Sequence, residues 1–315
     1  MFRIISYYQF NTIFSPVDFC REQRGRCLAL GLKGRVYVSR EGINGTLAGS
    51  EKDIGAYRDF LVQIPGFENT EFKDDECGAI PFERLVVKVR PEIVALRSSV
   101  AVDVKRDTGK FLSPREWKAV LESEEDYVLL DVRNEYETQV GHFVGAVLPK
   151  LDNFYDFPQW LKETSIPKEK KVLMYCTGGI RCEKFSALMK NFGYKDVNQL
   201  RGGILNYAKE EQGKHFKGKC FVFDDRLTTE VNPAEKEPIG RCEITGAACD
   251  TFINCANFDC NRLFLCSEQG AQQLEGCCSE ECRKAVWRRP FDPSNIYATS
   301  RRWYHYYEQK LSRKT

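Results

Sequence analysis

Lys171-Val172-Leu173-Met174-Tyr175-Cys176-Thr177-Gly178-Gly179-Ile180-Arg181 reads as a short apolar strand, a glycine turn and the start of a helix that runs to about Asn191. A thiol therefore sits at the carboxyl end of a strand, which is where open α/β sheets carry their sites. Backbone N–H groups of the turn can converge on the sulfur, and the following helix adds its positive end. Arg181 adds a full charge. Such settings lower a cysteine pKa from about 8.5 to roughly 5–7, so the thiolate predominates at neutral pH. Gly178 and Gly179 allow the backbone to curl around the sulfur. Cys176 is the candidate nucleophile, and Thr177, Gly178, Gly179, Ile180 and Arg181 form its loop. A buried cysteine that merely ends a core strand is the competing reading, and the loop by itself does not choose between them.

Working outward, residues 128–131, 145–148 and 197–200 read as further short strands, with Gly202-Gly203 opening a last helix. Strands that alternate with helices indicate a parallel α/β sheet. Ser113-Pro114 is a helix start, with Trp117 and Leu121 at helical spacing behind it. Upstream, residues 2–10, 35–40, 46 onward and 85–89 alternate as strands. Helices are expected over 16–24, behind Ser15, and from Ser50 to Ile64, where Pro65-Gly66 ends the pattern. Residues 42–45 read as a turn. The order β-α-β-β-α-β suggests a ferredoxin-like α+β fold. The expected organisation is thus an α/β multidomain chain: a ferredoxin-like domain over 1–95, a linker over 96–112, an α/β domain with a central parallel sheet over 113–218, and a cysteine-rich module with a basic aromatic tail over 219–315.

The 315 residues suit two or three cores, and a composition of 42% hydrophobic and 29% charged residues is that of a soluble globular protein. The net charge of +2 says little about partners. No apolar run approaches a membrane span, and the N-terminus lacks the pattern of a signal peptide. The expected location is cytoplasmic and reducing, so the fourteen cysteines should be metal ligands, reactive centres or buried fillers rather than disulfides. Eight of them fall between Cys242 and Cys282. Cys255-x4-Cys260 and Cys278-x3-Cys282 are pairs suited to zinc, with Cys249 and Cys277 as further candidates. Thr245 and Gln269 stand where C-x2-C pairs would be completed, and apolar packing around reduced thiols is the alternative. From Arg283 onward nine basic residues face two acidic ones, with aromatics interleaved. Arg288, Arg289, Arg301, Arg302 and Trp303 are the candidates for RNA contact, against the alternative of a solvated terminal helix.

The stretch from about Ser113 to Gln212 resembles a rhodanese domain through Leu130-Asp131-Val132-Arg133, Glu135, Glu137, Gly141-His142, Gly145-Ala146, the loop from Cys176 to Arg181, and Leu200-Arg201-Gly202-Gly203. The resemblance implies that Cys176 is the functional residue, that Asp131 and Arg133 pair beneath the site, and that His142 braces a turn. Cys182 is either a resolving thiol for an oxidised Cys176 or an inert helix-face thiol.

The whole chain resembles the bacterial rhodanese-domain tRNA uridine hydroxylases. The resemblance adds Glu41-Gly42-Ile43-Asn44-Gly45-Thr46, Asn254-Cys255, Asn257, Cys260 and Gly276-Cys277-Cys278-Ser279 with Cys282. It implies 5-hydroxylation of the wobble uridine, with tRNA, gripped at its anticodon arm, as partner and molecular oxygen as co-substrate. The electron donor is unnamed, since the chain carries neither a flavin fingerprint nor an iron triad. Thr245 and Gln269 depart from the family pattern, which bears on metal content. A sulfurtransferase carrying a persulfide on Cys176 is the alternative function. An RNA-binding module on a vestigial rhodanese fold is a third, and the retained Cys176 argues against it.

Overall fold

The computed structural model describes residues 1–294 and Ile296, and the chain divides into two units: Met1–Glu135 with Val144–His215, and Tyr136–Phe143 with the chain from Phe216 onward.

The first unit begins with β1 (Phe2–Phe10), α1 (Pro16–Ala29), β2 (Lys33–Ser39), β3 (Gly42–Ser50), α2 (Glu51–Val62), β4 (Phe72–Cys77) and β5 (Leu85–Val89). The sheet order is β4-β1-β3-β2-β5. Its first four strands are antiparallel neighbours in ferredoxin-like order, and β5 is added parallel to β2. Period-2 alternation sends Ile5 and Tyr7 of β1 into the core beside Val36, Ile43 and Leu47. Helix α2 lays Ile54, Tyr57 and Leu61 on that face, and Ser50 caps it by accepting the Asp53 N–H at 3.2 Å. Ser15 makes no such bond to the backbone of α1; its hydroxyl donates to Asp18 instead, at 2.6 Å.

Two expectations for this sheet change. Residues 42–45 are not a turn but the start of β3, and the chain reverses at Arg40–Glu41. Gly42 is required there because it sits between β1 and β2 with φ +149°, and a Cβ would stand 2.0 Å from the Gln9 carbonyl oxygen. The fourth strand is Phe72–Cys77, whose charged sequence hides it, and 85–89 is the fifth.

Next come α3 (Val104–Asp107), β6 (Lys110–Leu112), α4 (Pro114–Leu121), β7 (Tyr127–Asp131), α5 (Glu135–Thr138) and β8 (Gly141–Phe143), the last belonging to the second unit. A single 3₁₀ turn at Phe154–Asp156 leads into α6 (Phe157–Glu163), then β9 (Lys171–Tyr175), α7 (Ile180–Asn191), β10 (Asp196–Leu200) and α8 (Gly203–Glu211). Strands β6-β10-β9-β7 form an all-parallel sheet. Part of the stretch read as linker thus supplies α3 and the edge strand β6. Residues 145–148 contribute only one bridge, Leu130 to Val147. Ser113 and Glu116 close a capping box on α4, which buries Trp117 edge-on to Tyr175. Val172, Met174, Phe157, Phe185 and Leu188 fill the core between β9, α6 and α7, each fully buried apolar side chain stabilising by roughly 1.5–3 kcal/mol.

The second unit holds β8, β11 (Phe216–Phe221) and β12 (Thr228–Glu230) as an antiparallel sheet in the order β12-β11-β8. The hairpin of β13 (Phe252–Asn254) and β14 (Leu263–Leu265) follows, with α9 (Glu268–Gln273) and α10 (Glu280–Arg283). Its core is built from cysteines packed with Ile253, Phe264 and Leu274. His142 Nδ1 donates to the Thr138 carbonyl at 2.9 Å and braces the turn before β8. Among the described residues no helix is long and apolar enough to cross a membrane.

Candidate active site

Strand β9 ends at Tyr175, and the chain turns through Cys176–Gly179 before α7 begins at Ile180. The Gly179 N–H donates to Cys176 Sγ at 3.1 Å. The loop is held from behind by α8, where Ile204 N–H donates to the Cys176 carbonyl at 3.0 Å and Leu205 N–H to the Thr177 carbonyl at 3.1 Å. Gly203 makes that approach feasible: with φ +68°, a Cβ would stand 2.5 Å from the Cys176 oxygen and 2.7 Å from the Thr177 oxygen. Pinning the carbonyls to α8 turns the loop amides the other way, toward the sulfur.

Cys176 is fully buried. Burial alone raises its pKa, but a hydrogen bond from the Cys182 thiol, the Arg181 charge and the Cys182 and Gly179 amides outweigh it and bring the value down to about 5. Cys182 moves the opposite way, well above the ordinary thiol value, through burial and its bond to Cys176. The pair is therefore a thiolate beside a protonated donor. Arg181 Nη2 donates to Thr177 Oγ1 at 3.4 Å. Beneath the loop, Arg133 grips Asp131 through Nε to Oδ1 at 2.9 Å and Nη2 to Oδ2 at 2.6 Å, with both side chains at 0% exposure. The Arg133 guanidinium lies 5.8 Å from the Tyr175 ring centroid, directly before the cysteine.

Sequence reasoning missed the residues that the N-terminal sheet brings to this loop. The Tyr8 hydroxyl donates to Glu183 Oε1 at 2.7 Å, and a Cβ on Gly179 would meet it at 2.8 Å. Lys73 of β4 runs its Cδ and Cε to 3.8 and 3.9 Å from the Cβ position of Gly178. Lys184, almost wholly buried on α7, pairs with Glu41 at 2.9 Å and with Glu92, and donates to the Val94 carbonyl at 3.1 Å. Glu41 also accepts the Ile93 N–H at 2.7 Å, and Asn44 Nδ2 donates to the Ile93 carbonyl at 3.0 Å. The polar residues of Glu41-Gly42-Ile43-Asn44 thus tie the N-terminal sheet to the helix that follows the reactive loop. The residue types alone carried no signal of this, because the partners lie roughly 50 to 140 positions away.

In the second unit Cys255, Cys260, Cys278 and Cys282, the two expected pairs, converge so that all four sulfurs lie within 4.8 Å of one another. Cys260 Sγ is 3.7 Å from Cys278 Sγ, which is 3.8 Å from Cys282 Sγ. Tetrahedral zinc with Zn–S bonds of about 2.3 Å requires sulfur separations of about 3.8 Å. The Cys278 amide donates to Cys255 Sγ and Asn257 Nδ2 to Cys282 Sγ, both at 3.4 Å, the outer contacts that such ligands take. The set can hold a metal ion. Cys249 and Cys277 stand outside it, and among the described residues no second group of three ligands forms. At the other cysteines, the Thr245 amide donates to Cys242 Sγ at 3.4 Å and its hydroxyl meets the Ser267 hydroxyl at 3.2 Å.

Arg289, expected at an RNA surface, is 3% exposed, and its guanidinium donates to the carbonyls of Asn254 and Cys255 and to Asn261 Oδ1. It braces the thiol cluster from inside. Arg288 pairs with Glu275 at 2.7 Å. Arg301, Arg302 and Trp303 lie outside the described residues.

Comparison with known proteins gives family matches along most of the chain. A model described as the UPF0176 acylphosphatase-like domain matches residues 2–93, the rhodanese-like domain matches 113–210, and the rhodanese C-terminal model matches 217–283. Curated proteins named tRNA uridine(34) hydroxylase from Bacillus thuringiensis (strain Al Hakam) and Bacillus cereus (strain 03BB102) are each 41% identical over 285 residues, covering 90% of this chain and 89% of the relative. Among solved structures, the rhodanese-like domain of an Anabaena protein matches at 22% identity over 35% of this chain and 80% of its own, with a TM-score of 0.30. One from Staphylococcus aureus matches at 26% identity over 31% and 90%, with a TM-score of 0.27.

Proposed function

Because the chain belongs to the family of the tRNA uridine(34) hydroxylases, we propose that it is an enzyme that hydroxylates the wobble uridine of tRNA at C5, with Cys176 as its nucleophile. The observation that carries the role of Cys176 is the thiolate nest: a buried sulfur whose pKa falls to about 5 at the end of β9, with amides, the Cys182 thiol and Arg181 around it.

Uracil C5 is a weak nucleophile until C6 is attacked. The Cys176 thiolate adds at C6, the Sγ–C6 bond forms, and the C5=C6 electron pair moves toward C5 and carbonyl O4. Positive groups around the loop hold that charge. C5 then takes one oxygen atom of molecular oxygen, and the other leaves as water with two electrons from a reductant and two protons. Loss of the C5 proton expels the thiolate and restores the ring as 5-hydroxyuridine. The site is read as engaging the anticodon arm, in the cytoplasm where tRNA is modified. Cys255, Cys260, Cys278 and Cys282 are assigned to zinc, which would tie together a segment with a small apolar core of its own.

Nucleoside mass spectrometry of tRNA tests the reading in a bacterium that lacks wobble-uridine hydroxylation, complemented with this chain or with Cys176→Ala, in air and without it. The modified nucleoside should return with the wild type in air alone. Its absence with soluble wild-type protein refutes the assignment. The same nest suits the terminal sulfur of a persulfide, so cyanide-releasable sulfur on Cys176 together with thiosulfate turnover would favour the sulfurtransferase.

A further inference from the structure

Lys73 is an unusual cation for its strand. Glu71, Asp74, Asp75 and Glu76 surround it in sequence, and three of these carboxylates pair with arginines: Glu71 with Arg201, Asp74 with Arg58 and Arg3, and Glu76 with Arg3. Lys73 itself makes no ion pair among the described residues. Lys184, the comparably placed lysine of α7, holds two carboxylates.

The strand register explains where Lys73 goes. It pairs with Ser6 of β1. Ile5 and Tyr7 face the core of the N-terminal sheet, so Ser6, Tyr8 and Lys73 share the other face. On that face the Lys73 ammonium stands 4.8 Å from the centroid of the Tyr8 ring, a cation–π contact, and its stem lies across Gly178. The groups that act on it are Glu71, Glu183 and the Cys176 thiolate, and burial draws its pKa below the ordinary value. Those that face Cys176 are Arg181, Cys182 and the Glu183 carboxylate on α7, the Gly179 amide, Tyr8 and Lys73. A half-buried ammonium that has carboxylates near it but none in salt-bridge contact, and that lies over a thiolate loop, is poised for use.

We infer that Lys73, carried by an edge strand of the N-terminal sheet, completes the Cys176 site: its ammonium is a counter-charge for the thiolate and receives the charge that thiolate addition moves onto uracil O4. The second half rests on the hydroxylase reading. As Sγ bonds to C6, the electron pair withdrawn from C5=C6 loads O4, and Lys73 hydrogen-bonds that oxygen without giving up a proton. The charge then returns through C5 when the oxygen atom is taken. The rhodanese loop thereby acquires an electrophilic partner from a separate sheet, on a strand whose Asp74 and Glu76 pair with arginines.

Two measurements on the full chain separate the halves. The first is the pH profile of Cys176 alkylation by iodoacetamide, read by peptide mass spectrometry without RNA. In Lys73→Met the midpoint should rise by roughly one unit, and Lys73→Arg should restore it. The second is the initial rate at which 5-hydroxyuridine appears in tRNA after induction in the complemented bacterium. Lys73→Met should slow it by about a hundredfold at equal soluble protein, with Lys73→Arg partly recovering. An unchanged midpoint and an unchanged rate overturn the inference. A midpoint that shifts in Lys73→Met while the wild type makes no 5-hydroxyuridine supports the counter-charge and overturns the uracil assignment. A lowered melting temperature with an unchanged midpoint, in both variants, reduces Lys73 to a packing residue.

Discussion

The Cys176 nest makes a prediction whose size depends on pH in a way that a rate at pH 7 would conceal. With a folded pKa of about 5 against an ordinary 9.0, Cys176 is about 99% thiolate at pH 7, and an unperturbed thiol is about 1%. A low-pKa thiolate is also a poorer nucleophile: with a Brønsted coefficient of roughly 0.4–0.5, four units cost about 40- to 100-fold per thiolate. The two effects nearly cancel at pH 7. At pH 5 half the Cys176 population is thiolate against about one in ten thousand for an unperturbed thiol, a ratio of about 5000, so Cys176 should react on the order of a hundredfold faster. The assay is alkylation by iodoacetamide across pH 4–9, followed on the peptide containing Cys176, since Cys242 also titrates low, at about 6. Burial limits absolute rates but leaves the midpoint in place. A midpoint above pH 7 would refute the nest. Linkage provides a second readout. A thiol whose pKa is depressed on folding contributes its full stabilisation above pH 9, loses it as pH falls, and contributes none below pH 5. At pH 7 the contribution is about 3 kcal/mol. The stability gap between wild type and Cys176→Ala should therefore widen from pH 5 to pH 9 in denaturant titrations.

Removing one member of the fully buried Asp131–Arg133 pair strands the other charge; Asp131→Ala should destabilise the first unit by about 3–5 kcal/mol in urea unfolding. Gly203→Ala drives a methyl into the Cys176 and Thr177 carbonyls at a positive φ, so it should abolish the low alkylation midpoint even where the protein stays folded. Purified wild type should contain one zinc per chain by elemental analysis, and Cys278→Ser should lose it and lower the thermal midpoint. A metal-free but equally stable wild type would remove the ion from the thiol cluster.

The reactive loop was legible because strand, glycine turn and helix are contiguous and each has a local signature. The parallel sheet followed from the same alternation. Phe72–Cys77 was not, because an edge strand with four acidic residues in or beside it lacks apolar alternation and is held by its pairing with β1. Lys73 was invisible for the same reason. The Gly42–Asn44 stretch has turn chemistry, yet its glycine serves close packing between strands, which only tertiary placement reveals. The thiol pairs were readable from spacing, and the choice of those four over Cys249 and Cys277 came from the hairpin that aims them. Arg289 read as a surface cation because nothing local distinguishes an arginine that binds phosphate from one that binds its own carbonyls.

The strand β8 lies between two segments of the first unit in sequence and pairs with β11 of the second. The chain therefore crosses from one unit to the other three times, and no single cut separates them. Proteolysis or truncation after His215 would leave Gly141–Phe143 as an orphaned edge with Phe143 stripped of its ring partner Phe216, an invitation to strand exchange and aggregation. In chain order the second unit takes in Tyr136–Phe143 as well as the chain from Phe216 onward. Dissection should proceed by substitution inside the whole chain, not by excision.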